Sequence, residues 1–404
     1  YASAWFMKAA LCGKTTQSAA AFVAPNAVCP GRQVEPLWPL IFRTGHQIAF
    51  AHTSFKWTNL ASHKAGVMVV IVGIASHPAR SRRLFGDSEN GVATAKEVDA
   101  INPYLVPGSM TIVRKLSTPL CNLPEMAFGN MPNDGGHLLL SVQESAEAQG
   151  AYGVEERFIR RFLGSQELIR GIERRCIWVS TKDVTAASTN EWLNIRFQKV
   201  QQHRRESSRG TTRALAESPW SFGEVRQSGN ERVIVVASVS SESREYLPVG
   251  YCAEGAIVSN LAFGLYDAPL WTFALIASRL HLAWIATVCG KLKSDYRYSN
   301  TLGWNTFPVP LLTDKNKEDL TRCAEAILVV REAHFPATIA DLYDPETMPA
   351  DLRAAHDRND EVLERIYIGR RFRNDTERLE KLFELYTKMA TGKASVPKAK
   401  RATH

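Results

Sequence analysis

The chain predicts an α/β segment over residues 1–80, an irregular α+β domain over 101–310 and a helical domain over 311–392. Three observations carry this: strand–helix–strand alternation near the start, dense turn signals in the middle, and apolar residues at three- and four-residue spacing toward the end. At 404 residues the chain exceeds one typical domain, and its 45% apolar content is ample for packed cores.

The first element is helical, with Trp5, Phe6, Ala9 and Ala10 as its apolar positions. Because the chain opens inside that pattern, at Tyr1 and not at a Met, it reads as a piece of a longer protein. A short apolar strand over 21–24 ends at Pro25-Asn26, and a helix follows from near Gly31-Arg32-Gln33 to a stop at Gly45. Residues 46–52 alternate as a strand with Ile48 and Phe50 on one face, while 67–74 is a continuous branched run suited to a strand covered on both faces. A strand, a helix and a strand pair joined by a long turn is how a doubly wound sheet can finish with an antiparallel edge. The Arg80, Arg82, Arg83 and Gly86 stretch reads as a surface loop, which makes 81–100 a linker.

In the middle domain, turns fall at Pro107-Gly108, at 132–136 and at Ser228-Gly229-Asn230. Its clearest strand is 231–238. Its clearest helix is 268–288, with Asp267 as N-cap, Pro269 in the first turn and Gly290 as stop. Helices then follow at 317–333, 349–367 and 375–389, the last capped by Asp375 and striped by Leu379, Leu382 and Leu385. Residues 393–404, with Lys393, Lys398, Lys400 and Arg401 and no acid, form a basic tail.

The balance of 49 Lys+Arg against 41 Asp+Glu gives +8, which suits a polyanionic partner without requiring one. Seven cysteines, an odd number with no Cys-x-x-Cys pair, argue against a zinc site or disulfide framework and fit a reducing cytoplasm. Ten scattered histidines supply no metal cluster. Gly135-Gly136 lacks the strand-to-helix context of a phosphate cradle and reads as a tight turn. The most apolar span, 268–289, is broken by Ser278, Arg279 and His281, as suits an amphipathic helix better than a membrane span. The densest mixture of cations, an anion and aromatics is 290–308, GKLKSDYRYSNTLGWNTFP, and it points at DNA.

Several phrases are more specific. AFVAPNAVCPGRQVEPLWPLIF (21–42), IAFAHTSFKWTN (48–59), KAGVMVVIVGI (64–74), SSESREYLPVG (240–250), GKLKSDYRYSNTLGWNTFPVP (290–310) and ADLYDPETMPADLRAAHD (340–357) resemble the MmeI-like DNA methyltransferases, in the family's order. That family contains adenine-N6 modification enzymes, often fused to a restriction nuclease. The resemblance implies the C-terminal part of a Rossmann-like methyltransferase sheet, a target-recognition domain and a C-terminal helical domain. It further implies double-stranded DNA as partner and S-adenosyl-L-methionine as methyl donor, bound mostly upstream, with Mg only if an upstream nuclease exists. The family's glycine-rich turn and Asn/Asp-Pro-Pro-aromatic tetrapeptide do not occur in the 404 residues. Asn102-Pro103-Tyr104 resembles the tetrapeptide with a proline missing, but it follows the closing strands and reads as a turn. No catalytic residue is therefore assigned. The competing expectation is a DNA-binding specificity protein without chemistry, its sheet only a scaffold.

By the same resemblance, Phe55 or Trp57, expected in the loop between the last two strands, would stack on an extruded adenine; otherwise they are ordinary core aromatics. Lys293 and Asp295, at i and i+2 of an extended segment, would read one G·C pair, with the simpler alternative of a surface ion pair. Related sequences alternate Lys-x-Asp with Glu-x-Arg at these two positions. Asn260, Leu261 and Ser238 are further base readers by analogy, although Leu261 by sequence alone reads as core. Lys291, Arg297 and Arg244 suit phosphate contacts.

Overall fold

A computed structural model describes residues 2–29, 31–57, 67–87, 93–292 and 295–394. The chain divides into two compact units, one of residues 1–123, 279–313 and 360–404, the other of 124–278 and 314–359.

The first unit is built on a five-stranded sheet ordered β1 (Ala20–Pro25), β3 (Val67–Ala75), β2 (Gln47–Trp57), β4 (Arg82–Asp87), β5 (Ala93–Val98). β3 runs antiparallel to both β1 and β2, whereas β4 runs parallel to β2. The antiparallel strand thus lies between neighbours and not at an edge, and the burial of both Val69 and Val70, which point to opposite faces, explains its continuous apolar run. Two further expectations are corrected. Residues 82–87 and 93–98, expected within a linker, are the paired strands β4 and β5. Ile48 and Phe50 do not share a face, because the register shifts between them: Ile48 is fully buried and Phe50 is 36% exposed. Phe50 lies across Gly73, where an added Cβ would come within 2.3 Å of its ring.

The helix Val34–Arg43 buries Leu37, Trp38 and Ile41 and ends before Gly45, whose φ of +87° favours glycine. The helix Asp375–Ala394 packs Phe383 on Trp284 (ring centroids 5.1 Å) and on Tyr104 (5.0 Å). Arg378 donates to Glu364 Oε1 through Nε (2.8 Å) and Nη2 (2.6 Å), both residues almost wholly buried.

The second unit holds two small sheets. One is ordered β11 (Val249–Cys252), β10 (Val233–Ala237), β13 (Ala262–Tyr266), β6 (Ala127–Phe128). The other is ordered β12 (Ala256–Val258), β8 (Ile159–Leu163), β9 (Arg175–Ile177), β7 (Leu139–Leu140), with β12 parallel to β8. Leu163, Val233, Val235, Ala256, Val258 and Ala262 pack into one core. Arg204, fully buried, donates to the carbonyls of Pro132, Asn133, Leu215, Ser218 and Ser221 at 2.7–2.9 Å and ties two loops to the helix Glu191–Arg205.

The expected helix over 268–288 is two helices, Trp271–Ile276 and Arg279–Val288. Asp267 is no cap: it has φ +48°, and its amide and carboxylate pair with the carbonyl and amide of Arg232. The break falls where the Ser278 hydroxyl turns back to Leu275 O (2.6 Å) and the Asp360 carboxylate accepts from Arg279 N (2.9 Å). The three later helices run Asp314–Ala333, Ala350–Ile368 and Asp375–Ala394. Among the described residues no helix is long and apolar enough to cross a membrane.

Candidate nucleic-acid interface

In the second unit, Ser238, Asn260 and Leu261 come together although they lie on separate strands and turns. β12 ends at Val258 and β13 begins at Ala262, so residues 259–261 form a tight turn closed by Ala262 N on Ser259 O (2.9 Å). Two hydroxyls converge on the Leu261 carbonyl, Ser238 Oγ at 2.7 Å and Ser165 Oγ at 2.5 Å. Ser238 N in turn donates to Ser165 Oγ at 2.9 Å. With both lone pairs of that carbonyl occupied, the turn has little freedom left. Its other side is held by Asn130, whose carbonyl accepts from Asn260 N (3.0 Å) and whose amide N donates to Val258 O (2.7 Å). Gly129 next to it has no room for a side chain, since a Cβ would sit 2.3 Å from Ser259 O.

This scaffold leaves the two tip side chains outward. Leu261 is 59% exposed, which corrects the expectation of a core residue. Asn260 is half-buried, and its Oδ1 makes one long contact with Ser259 Oγ at 3.4 Å. The hydroxyl hydrogen of Ser238 is spent inside the scaffold, so it acts on the turn more directly than on anything outside. Ser165 and Asn130 are parts of the site that sequence reasoning missed. Ser165 is 73 residues from Ser238, and no local pattern marks either residue. Arg244 reaches Ser240 Oγ at 3.5 Å.

In the first unit, Gly290–Leu292 and Asp295–Arg297 form an antiparallel hairpin with Leu292 opposite Asp295, Lys291 opposite Tyr296 and Gly290 opposite Arg297. Lys293 lies outside the described residues. The expected extended segment from 293 to 295 therefore falls partly outside the described residues, and of those described Leu292 and Asp295 stand opposite one another on the two strands. The ladder sorts the other candidates: Asp295 and Arg297 share one face, Lys291 and Tyr296 the other, with Lys291 Nζ 5.3 Å from the Tyr296 ring centroid.

The hairpin's base is fitted to Gly31, where an added Cβ would meet Cys289 O at 2.9 Å and Gly290 Cα at 3.2 Å. Past the hairpin, Tyr298 is buried and its hydroxyl meets His281 Nε2 at 2.9 Å. Burial pushes the Tyr298 hydroxyl well above its ordinary range and His281 down to about 3, so His281 is a neutral packing group, edge-on to Phe307.

Phe55 and Trp57 end β2 instead of standing in a loop. The register shift between His52 and Phe55 inserts one residue and puts those two on the same side, with ring centroids 4.7 Å apart. Phe55 is half-buried, Trp57 is 46% exposed, and their rings are 6.3 Å apart. Neither is an ordinary core aromatic.

Asn102 is fully buried, and its Oδ1 accepts from Tyr104 N (2.9 Å) and Val106 N (3.2 Å). Its carbonyl oxygen thereby closes a turn instead of facing a ligand. At Gly135-Gly136, the Asp134 carboxylate takes the amides of Gly136 (3.1 Å) and Leu138 (2.5 Å), the kind of donors a phosphate would need. Among the described residues no cluster of His, Cys, Asp or Glu is arranged to hold a metal ion.

Comparison with known proteins gives three consecutive matches. Residues 1–86 match the family described as MmeI, DNA-methyltransferase domain; 107–311 match MmeI, target recognition domain; 312–393 match MmeI, C-terminal domain. DNA methyltransferase A of Bacillus subtilis (strain 168) is 40% identical over 390 residues, 96% of this chain and 44% of that protein. A solved structure of the type IIL restriction-modification enzyme MmeI in complex with DNA superimposes with a TM-score of 0.81 at 34% identity, covering 96% of this chain and 52% of that one. The chain spans about half the length of these relatives.

Proposed function

Since the chain belongs to the MmeI family, we propose that it is the target-selecting portion of a DNA methyltransferase that transfers a methyl group from S-adenosyl-L-methionine to N6 of an adenine in a specific duplex site. The observation that carries this reading is the clamped turn: two serine hydroxyls on the Leu261 carbonyl fix a turn whose outward side chains are an amide and an alkyl group. Such a pair suits base edges, since an amide can pair with adenine and an alkyl group can meet a thymine methyl or exclude a base by bulk. A turn that is rigid before binding loses no affinity to being ordered.

Asn260 and Leu261 then read bases, and Ser238 positions their turn. Lys293 and Asp295 read one G·C pair, and Lys291, Arg297 and Arg244 hold phosphates. Methylating a duplex adenine requires extruding it from the stack, and Phe55 or Trp57, the semi-exposed aromatic pair ending β2, would replace its lost neighbours. The methyl donor supplies the electrophilic carbon; the residues of this chain choose and receive the base. The protein would work in a reducing, DNA-containing cytoplasm, and Mg enters only with a nuclease domain elsewhere. The second reading is sequence-specific DNA binding without chemistry, with the sheet serving only as scaffold.

One experiment separates them. Methylation-sensitive sequencing of DNA from cells carrying the intact gene is expected to show one modified adenine context, and the double substitution Lys293→Glu, Asp295→Arg is expected to invert one G·C pair in it. No new methylation in the parent favours the binder. An unchanged context in the double variant removes these two residues as readers.

A further inference from the structure

We propose that Arg161 and Arg175 form a phosphate-binding patch for the backbone of duplex DNA, beside the reading turn; this rests on the DNA-binding reading above. The two stand directly opposite one another in the antiparallel ladder of β8 and β9. Directly opposed side chains in such a ladder have Cβ atoms about 4.5–5.5 Å apart, and like charges at that spacing are unfavourable. Among the described residues neither guanidinium has an ion pair or hydrogen bond to offset this. Two nearby acids are turned elsewhere: Glu167 to Arg174 (3.4 Å) and to the Gly164 amide, Glu254 to Arg232 (3.8 Å).

Position links the patch to the site. Arg161 lies beside Ala256 in the parallel ladder with β12. Two residues further along β8, the Leu163 carbonyl accepts from Ser259 N at 2.7 Å, immediately before Asn260. Two residues of strand span about 7 Å, so a duplex read by the turn would bring its backbone within reach of these long side chains. A guanidinium pair is suited to the task, since each fork can give parallel hydrogen bonds to one phosphate. A phosphate on each guanidinium offsets the repulsion between the two with an attraction.

The test titrates intact protein with a labelled mixed-sequence duplex between 50 and 200 mM KCl. For the double variant Arg161→Gln, Arg175→Gln the slope of log K against log salt should shrink by about 1.8, at about 0.9 per phosphate neutralised. The loss should be equal on cognate and unrelated DNA, while Arg161→Lys, Arg175→Lys keeps most of the slope. Thermal stability of the Gln variant should be unchanged or higher, a result that a purely structural role would not give. An unchanged slope in a folded Gln variant overturns the patch alone. A parent that shows no salt-dependent binding overturns the DNA-binding reading with it.

Discussion

Gly31 offers the sharpest test of how the hairpin is seated. Its φ is +81°, and an alanine Cβ there would meet three backbone atoms, Cys289 O at 2.9 Å, Gly290 Cα at 3.2 Å and Cys289 C at 3.4 Å. The left-handed backbone alone costs a non-glycine residue about 1–2 kcal/mol. The contact adds about 1–3 kcal/mol, because backbone cannot swing aside as a flexible side chain does. Gly45, in the same unit, separates the two costs: its φ is +87°, with nothing within 4 Å of the added atom. Gly45→Ala should therefore lose only the dihedral cost, and Gly31→Ala about 2–5 kcal/mol. At roughly 2–4 °C per kcal/mol for a unit of this size, the melting temperatures of the two variants should differ by several degrees. Paired thermal denaturation of the variants measures it. The displaced strand Gly290–Leu292 should also cost Gly31→Ala sequence discrimination that Gly45→Ala retains. Equal destabilisation by both would refute the contact and, with it, the seating of the hairpin on Gly31.

Other expectations follow from single residues. Leu261→Ala removes a 59% exposed side chain, so stability should stay within about 0.5 kcal/mol while the modified DNA context broadens at one position; methylation sequencing beside a melting curve checks both. His281 is held down to about 3 by burial, below the ordinary 6.5 it regains on unfolding, so the unfolded chain binds the extra proton between those values. Its stability contribution is thus present above pH 6.5 and lost as pH falls toward 3, on the order of 5 kcal/mol in full. His281→Phe should flatten that acid limb, and melting temperatures from pH 7 to 4 would show it. Arg204→Lys cannot supply five carbonyls from one ammonium, and denaturant titration should register a loss of at least about 3 kcal/mol.

What was legible in the sequence was what neighbouring residues decide. The helices Asp314–Ala333, Ala350–Ile368 and Asp375–Ala394 declare themselves because each apolar stripe lies within a few turns, although Asn374, whose Oδ1 accepts from Glu377 N (3.0 Å), caps the last in place of the expected Asp375. β4 and β5 do not: Arg82–Asp87 carries two arginines and little alternation, and it is a strand because it pairs with β5 and with β2, more than thirty residues back. The broken helix failed for the same reason. A continuous apolar pattern runs through 268–288, yet Arg279 N finds the Asp360 carboxylate 81 residues away, an acceptor that starts a second helix where local propensity would continue the first. The candidate site repeats the lesson in its chemistry. Asn260 and Leu261 can be picked out by residue type and family resemblance. Leu261 points outward, however, because Ser165 and Ser238 hold its carbonyl, and that depends on strands meeting in space. Residue type proposes what a side chain can recognise; the distant hydroxyls decide whether it is presented. It follows that substitutions at Ser165, which touches no base in this reading, should change target choice more than an exposed serine elsewhere on the same unit.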